Sequence, residues 1–394
     1  MRFITLFCAA WGLPLLSLLS PTQLRAGRRP QLVVGSDKTT CPDATFVHIQ
    51  DAVNAASPGS EIRVCKGTYV EQVVVNKPVD IDSDSGAVLM SNSMQANTSS
   101  LVDSSPIAAA LLVSGTTDVS ISGLIVDGTN NGILGCAPRV FGIYFQNASG
   151  EIDRDTVRGF KLSTSLNGCQ SGTDIFVQSG GGGASHVRIE HCSIHDYQKN
   201  GITANEAGTS VIVDGNVVTG LGPTTGAAEN GIQIGFGATG SISSNTVTNN
   251  IWSPCVTVSN CTAIATNILV EQSDGVVVTQ NQVGISQVPI FISGNQSYVN
   301  DNEAFGADVF DGIHLEGEQN RVMHNQVFTG PESGIFVSGN NNVIERNTIT
   351  DALIGVLKAA GSVGNLIRFN NVYDTPTAVQ DPASSLSAAV QPER

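Results

Sequence analysis

The chain is 394 residues long and carries 34 acidic against 19 basic residues, a formal charge of −15 at pH 7. That balance excludes a nucleic-acid reader, which needs a basic face, and makes a polyanionic sugar an awkward partner unless a cation bridges. After residue 26 no apolar run approaches the ~18 residues of a membrane-spanning helix, so no membrane span is predicted.

Residues 1–26 read as an export signal: Arg2 gives a positive start, Ile4 to Leu19 is largely apolar, and Leu24-Arg25-Ala26 offers a cleavage point. The expected location is secreted or periplasmic. Cys8 leaves with that segment, and the remaining seven cysteines contain no CxxC, so a zinc or redox site is not expected. In an oxidising compartment the nearest neighbours pair: Cys41–Cys65, Cys136–Cys169 and Cys255–Cys261. Cys192 is left over and is read as a buried free thiol.

Residues 27–45 read as an irregular lead-in. Phe46, Ile49, Ala52, Val53 and Ala56 then mark one face of a short helix that stops at Ser57-Pro58-Gly59. Short strands follow, from Glu61 to Cys65, Val73 to Val75 and Val79 to Ile81. Asp80, Asp82 and Asp84 alternate there. They raise a weakly supported Ca²⁺ reading, against solvated strand-edge carboxylates as the favoured one; no other cofactor is expected. Gly180 to Gly183 lacks a following Lys-Ser/Thr and reads as a flexible turn, not a phosphate loop.

From there the chain repeats. Asn216, Asn245, Asn281, Asn302, Asn325, Asn347 and Asn370 each follow an aliphatic residue by three positions and precede a small or aliphatic one by two. The last five are spaced 21, 23, 22 and 23 residues apart, a solenoid period. Cys192, Asp155 and Leu124 fill the same slot in earlier turns. A second element, Gly201-Ile202, Gly231-Ile232, Gly312-Ile313, Gly334-Ile335 or Gly355-Val356, recurs once per turn with period-two alternation. Short strands, corners of Gly, Asn, Asp or Ser and no connecting helices predict an all-β, right-handed parallel β-helix. It should have about eleven coils, span 46–381 as one domain with the helix as N-terminal cap, and be followed by a disordered tail over 382–394. The asparagines are corner residues that tolerate left-handed dihedrals and stack their amides.

The run from Phe46 to Ile81 resembles the N-terminal segment of pectin-lyase-like β-helix proteins, pectin methylesterases among them. The later coils resemble the parallel β-helix repeats of the carbohydrate-binding and sugar-hydrolysis group and of NosD. The likeness covers roughly residues 46–380. Gly67, Tyr69 and Glu71 match the esterase Gly-x-Tyr-x-Glu, but the Asp-Phe-Ile-Phe-Gly and Gly-Arg-Pro-Trp segments have no counterpart. The polygalacturonase Asn-Thr-Asp, Gly-His-Gly and Arg-Ile-Lys motifs and the epimerase Asp-Pro-His are absent as well. The resemblance implies a sugar-related surface and assigns no reaction.

The outward positions of the Gly-Ile strand read Tyr144, Phe176, Thr203, Gln233, Leu269, Phe291, His314, Phe336 and Leu357. An apolar stripe facing solvent would suit sugar rings; insertions at 220–230 and 251–265 are alternatively placed to cover it. Tyr144, Asn200, Gln233, Phe291 and Phe336 are the candidate substrate-binding residues. Asp311, His314, Glu316, Lys199, Glu229 and Glu271 are the candidate catalytic set, because a histidine among carboxylates can support acid–base chemistry and paired carboxylates can support glycoside hydrolysis. The expected function is binding or processing of polysaccharide or oligosaccharide on this face, by lyase or hydrolase chemistry if catalytic. The alternatives are a non-catalytic structural or adhesive protein and a NosD-like periplasmic accessory protein. Four Met and six His without clustering argue against copper. The oligomeric state stays open.

Overall fold

A computed structural model describes residues 31–381; the expected export signal and the expected tail lie outside the described residues. The chain winds into a right-handed parallel β-helix. One sheet stacks thirteen strands in register, from Gln31–Val34 to Leu366–Arg368. Ten of these are the asparagine-frame strands legible in the repeat. Gln31–Val34, Ser60–Val64 and Val79–Ser83 precede them, so the expectation of about eleven coils falls short. The lead-in is not wholly irregular either: Gln31–Val34 pairs in parallel with Glu61 to Val64. The pairing covers what would otherwise be an open strand edge.

After each asparagine corner the chain enters a second stack, and after the next corner it enters the stack of Gly-Ile strands. A continuous apolar core runs between them from Val34 to Val356. The helix Ile49–Ala55 closes the N-terminal end with Ile49, Ala52 and Val53 inward. Its first turn is capped by Glu71, whose carboxylate accepts from the Ile49 and Gln50 N–H groups at 2.8 and 2.9 Å. Tyr69 donates to the Cys65 carbonyl at 2.6 Å. The Gly-x-Tyr-x-Glu match therefore builds the cap.

The asparagine ladder forms as expected. Asn302 shows the pattern: its backbone N–H and its Nδ2 both donate to Asn325 Oδ1 at 2.9 Å, and its Nδ2 also donates to the Val278 carbonyl at 2.9 Å. Cys192 N–H donates to Asn216 Oδ1, and Leu124 N–H donates to Asp155 Oδ1. Burial pushes the Asp155 carboxyl well above its ordinary range. A second ladder was not anticipated. Ser297, Asn320 and Asn342 each donate a backbone N–H to the next carboxamide, ending at Asn365, at 2.8 Å per step.

The glycine of the Gly-Ile motif has a packing cause. A Cβ on Gly312 would lie 2.3 Å from Val327 Cγ1, and one on Gly334 would lie 2.3 Å from Ile349 Cγ2. The aliphatic residue two positions after the asparagine fills that space. Gly312→Ala is expected to destabilise by about 1–3 kcal/mol through overpacking. Gly168→Ala, where a Cβ meets nothing within 4 Å, is expected to be nearly silent. Denaturant unfolding of both variants checks this, and equal midpoints would remove the packing explanation.

The bonds Cys41–Cys65, Cys136–Cys169 and Cys255–Cys261 are formed, and Cys192 is a buried free thiol raised in pKa by that burial. Three disulfides suit an oxidising compartment.

Candidate functional site

The outward face of the Gly-Ile sheet is mostly covered. Tyr144, Leu269 and Phe291 are fully buried, and Phe176, Phe336 and Leu357 nearly so. The disulfide loop of Cys255 and Cys261 brings Ile264 over Leu269 and Phe291 in a satellite apolar cluster that also holds Val309 and Phe310. Phe141, Ile107 and Leu112 close over Tyr144 and Phe176. The Tyr144 hydroxyl donates to Gln178 Oε1 at 2.7 Å. The structure thus corrects the reading of Tyr144 and Phe291 as open substrate contacts: neighbouring strand residues pack over Tyr144, and the segment around the Cys255–Cys261 disulfide covers Phe291.

Where the cover stops, a cleft of about 100 Å³ opens between Arg139, Phe141, Thr173, Phe176, Lys199, Asn200, Thr203, Asn205, Gln233 and Phe236. Adjacent parallel strands supply these residues in register, Thr173 beside Asn200 and Phe176 beside Thr203 and Gln233. The amides relay across coils. Asn230 Nδ2 donates to Asn200 Oδ1 at 3.3 Å, Asn200 Nδ2 to Gln233 Oε1 at 3.1 Å, and Gln233 Nε2 to Asn205 Oδ1 at 3.1 Å. Asn200 also donates to Thr203 Oγ1 at 2.7 Å. Of the residues selected from sequence, this cleft gathers Lys199, Asn200 and Gln233. Thr203 was placed on this face but not selected, and Arg139, Asn205 and Phe236 were missed. Strand register would have found Asn205; nothing local marks Arg139.

Glu229 stacks on Lys199 in the next coil, behind the cleft. It is fully buried, and one carboxylate oxygen accepts from Leu221 N–H at 3.1 Å while Oε1 has no hydrogen-bond partner. Burial pushes its carboxyl up to about 9, against the opposing pull of Lys199. Lys199 Nζ donates to the Ala228 carbonyl at 2.8 Å.

A second cluster lies further along. His314 is sandwiched between Phe291 and Phe336, with ring centroids 4.6 and 4.5 Å apart. Its Nδ1 contacts Asp311 Oδ2 at 2.8 Å and its Nε2 lies 3.7 Å from Glu316 Oε1. Ser333 Oγ donates to Asp311 Oδ1. The His314 side chain is 12% exposed. Burial alone would lower its pKa, but hydrogen bonds to Asp311 and Glu316 outweigh that and raise it to about 9. Burial, with the charge of Asp311, also lifts Glu332 to about 7. Ser333 and Glu332 were not selected from sequence, although Ser333 falls one coil beyond Asp311 in the same slot.

The six candidate catalytic residues do not converge. Lys199, Glu229, Ala265, Gln287 and Phe310 follow one another in a stack, which sets Lys199 four coils from the Asp311 corner, about 19 Å at ~4.8 Å per coil. Glu271 is separate again, bonded to Ser293 Oγ and to Gln272 Nε2 at 3.0 Å each. The aspartates of the Ca²⁺ reading have partners within the protein. Asp84 is paired with Arg63 at 2.9 Å and Asp82 accepts from Ser122 at 3.2 Å. A further concavity of about 630 Å³ lies on the asparagine-bearing sheet near Asp118, Glu151, His186 and Arg188, and no motif pointed to it.

A family model described as "Periplasmic copper-binding protein (NosD)" matches residues 186–385. The chain belongs to the NosD family. No curated protein matches it. Among solved structures it is similar to the lacto-N-biosidase of Eubacterium ramulus, with a TM-score of 0.61 and 12% identity over 87% of this chain and 67% of that one. It is similar to the Dettilon tailspike protein, with a TM-score of 0.56 and 14% identity over 81% of this chain and 62% of that one. The mannuronan C-5 epimerase A-module of Azotobacter vinelandii gives 0.54 and 12% over 84% and 91%. These likenesses show a shared fold.

The description of the NosD family raises copper. A copper site wants converging imidazole, thiolate or thioether donors. Among the described residues no group of three His, Cys, Asp or Glu side chains is arranged to hold a metal ion, Met94 is packed in the core, and the Cys192 thiol is buried. The described residues of this NosD-family chain do not supply a copper site.

Proposed function

We propose that this NosD-family protein binds glycan on the outward face of its Gly-Ile sheet, with the cleft of Arg139, Lys199, Asn200 and Gln233 as the point of contact. The observation that carries the reading is the amide relay from Asn230 through Asn200 and Gln233 to Asn205. Each amide fixes its neighbour, so little rotamer freedom is lost when a ligand arrives. The Asn200 carbonyl oxygen accepts from Asn230 and keeps a second lone pair for a sugar hydroxyl. Phe176 and the half-buried Phe236 border the amides and offer apolar surface to sugar C–H groups. A lacto-N-biosidase and a mannuronan epimerase share the fold, in agreement with a sugar-related role.

A panel of neutral and acidic oligosaccharides, measured by titration calorimetry on the full chain, tests the reading. At least one glycan should bind, and Gln233→Ala should weaken it by about tenfold, the equivalent of roughly 1.4 kcal/mol. A panel with no binder would leave a structural or adhesive role in its place.

Processing at His314 is the second reading, favoured by its contacts with Asp311 and Glu316 beside the readily titrated Glu332. An imidazolium that keeps its proton to about pH 9 donates rather than accepts at neutral pH. If turnover is found, His314→Ala should abolish most of it. Undiminished turnover in that variant removes His314 from the chemistry.

A further inference from the structure

We propose that two copies of this chain associate end to end, last described coil against last described coil, about a two-fold axis through the strand Asn371–Tyr373. The strands of that coil, Leu366–Arg368, Asn371–Tyr373 and Thr377–Gln380, each pair on one side only. Among the described residues nothing packs on the other side. The inward positions of the coil are Ile367, Val372 and Val379. One coil back the same positions are Ile344, Ile349 and Val356, all fully buried. In the last described coil Ile367 and Val372 are half-buried and Val379 is 49% exposed. Core positions therefore reach the surface here beside unpaired strand edges, the two features that favour pairing with another chain.

The opposite end offers no such surface. The helix Ile49–Ala55 closes it with Ile49, Ala52 and Val53 inward, so head-to-tail stacking into a filament is blocked. Two identical open ends meet about a two-fold axis instead, and that contact closes after two copies. Strands facing each other across such an axis run antiparallel and can exchange edge hydrogen bonds. The strand on the axis meets its own copy, and Leu366–Arg368 meets the partner's Thr377–Gln380. Val372 then lies against the partner's Val372 and Ile367 against the partner's Val379, so the apolar core continues across the joint.

Charge selects this axis from the three that the coil's strands allow. At the corner before Asn371–Tyr373, Arg346 and Arg368 share the single carboxylate of Glu345, at 3.1 and 2.7 Å. Arg368 uses only its Nε there, and its terminal nitrogens have no hydrogen-bond partner among the described residues. Phe369, 70% exposed, lies 5.3 Å from the Arg368 guanidinium carbon. The corner after the strand holds Asp374, exposed and without a hydrogen-bond or ion-pair partner among the described residues. An axis through Asn371–Tyr373 sets each Arg368 corner against the partner's Asp374, and each Phe369 towards the partner's exposed Tyr373. An axis through Thr377–Gln380 would set Arg368 against its own copy, and one through Leu366–Arg368 would do the same to Asp374. Like charges in contact disfavour both. Residues 362–381 supply about 20 residues a side, the low end of a standard interface. In dilute solution water covers this end, and association replaces it as concentration rises.

Sedimentation velocity of the full chain from about 1 to 200 µM tests the proposal, since interfaces of this size reach micromolar affinity. The chain should pass from monomer to dimer and form nothing larger. Asp374→Arg sets like charges together at both pairs and should raise the dissociation constant about tenfold or more. Asn371→Cys lies near the axis and should cross-link to itself on mild oxidation. Val217→Cys, exposed far from this end, should not cross-link at the same concentration. Thermal melts check that each variant is folded. A full chain that stays monomeric at about 200 µM overturns the proposal. A dimer that tolerates Asp374→Arg and is not linked through Asn371→Cys uses another surface and overturns it too. If dimers form only after residues 382–394 are removed, those residues cover the end in place of a second copy, and the proposal fails.

Discussion

Asn325→Ala is expected to destabilise the protein by about 4 kcal/mol, because one side chain bonds four buried groups and its loss orphans two of them at ~1–3 kcal/mol each. Asn325 Oδ1 accepts from the backbone N–H and from Nδ2 of Asn302, both at 2.9 Å. Its Nδ2 donates to the Val299 carbonyl at 3.0 Å and to Asn347 Oδ1 at 2.9 Å. Truncation orphans the Asn302 N–H and the Val299 carbonyl, while Asn302 Nδ2 keeps the Val278 carbonyl and Asn347 Oδ1 keeps the backbone N–H of residue 325. Asn370→Ala should cost much less, near 1 kcal/mol. It sits in the last described coil, where Phe369, Tyr373 and Val379 are exposed and water can replace the lost bonds. Denaturant titration of the two variants beside the parent gives the comparison. Equal losses would mean that the ladder works as a set of independent corners, and the stacked-amide account would be wrong.

That contrast also shows what the sequence could reveal. A side chain that must hydrogen-bond its own equivalent in the next coil has to recur at a fixed offset, so Asn216 to Asn370 were legible as a set. So was the glycine before each inward isoleucine, since the space it leaves is filled by a residue at a constant distance. Asn320, Asn342 and Asn365 obey the same rule but do so over only three coils, too few to stand out from a chain rich in asparagine. The outward face was legible as a direction and no further. Alternation says that Tyr144 and Phe291 leave the core; it does not say that Ile107 from the adjacent strand packs beside Tyr144 or that Ile264 arrives from an insertion to cover Phe291. The candidate site divided for a related reason. Coil number could have placed Lys199 and His314 about 19 Å apart, but loop lengths that vary from turn to turn hide coil number in the first half. Arg139 is the extreme case: its part in the cleft depends on where the segment around Asp103 and Ser105 folds back, which no periodicity records.

Glu229→Gln is expected to stabilise the protein at pH 8 by a few kcal/mol and to flatten its stability–pH curve, given ~1.4 kcal/mol per pH unit for one displaced titration. The folded protein holds the Glu229 proton up to about pH 9, whereas the unfolded chain releases it near the ordinary 4.5. The group's favourable contribution is therefore fully present below about pH 4.5 and is lost as pH rises towards 9. Glu332, raised to about 7, and His314, raised to about 9 from 6.5, act with the same sign, so the parent should weaken steadily from mildly acid to alkaline pH. A glutamine keeps the shape of the neutral acid, including an acceptor for Leu221 N–H, and has no proton to lose. The advantage of the variant should shrink as the pH falls to 4.5, since both side chains are then neutral in either state. Thermal melts from pH 4.5 to 9 measure it. If the variant is less stable than the parent at pH 8, Glu229 is ionised in the folded protein and held by the neighbouring Lys199, and the corner behind the cleft is an ion pair instead of a neutral acid.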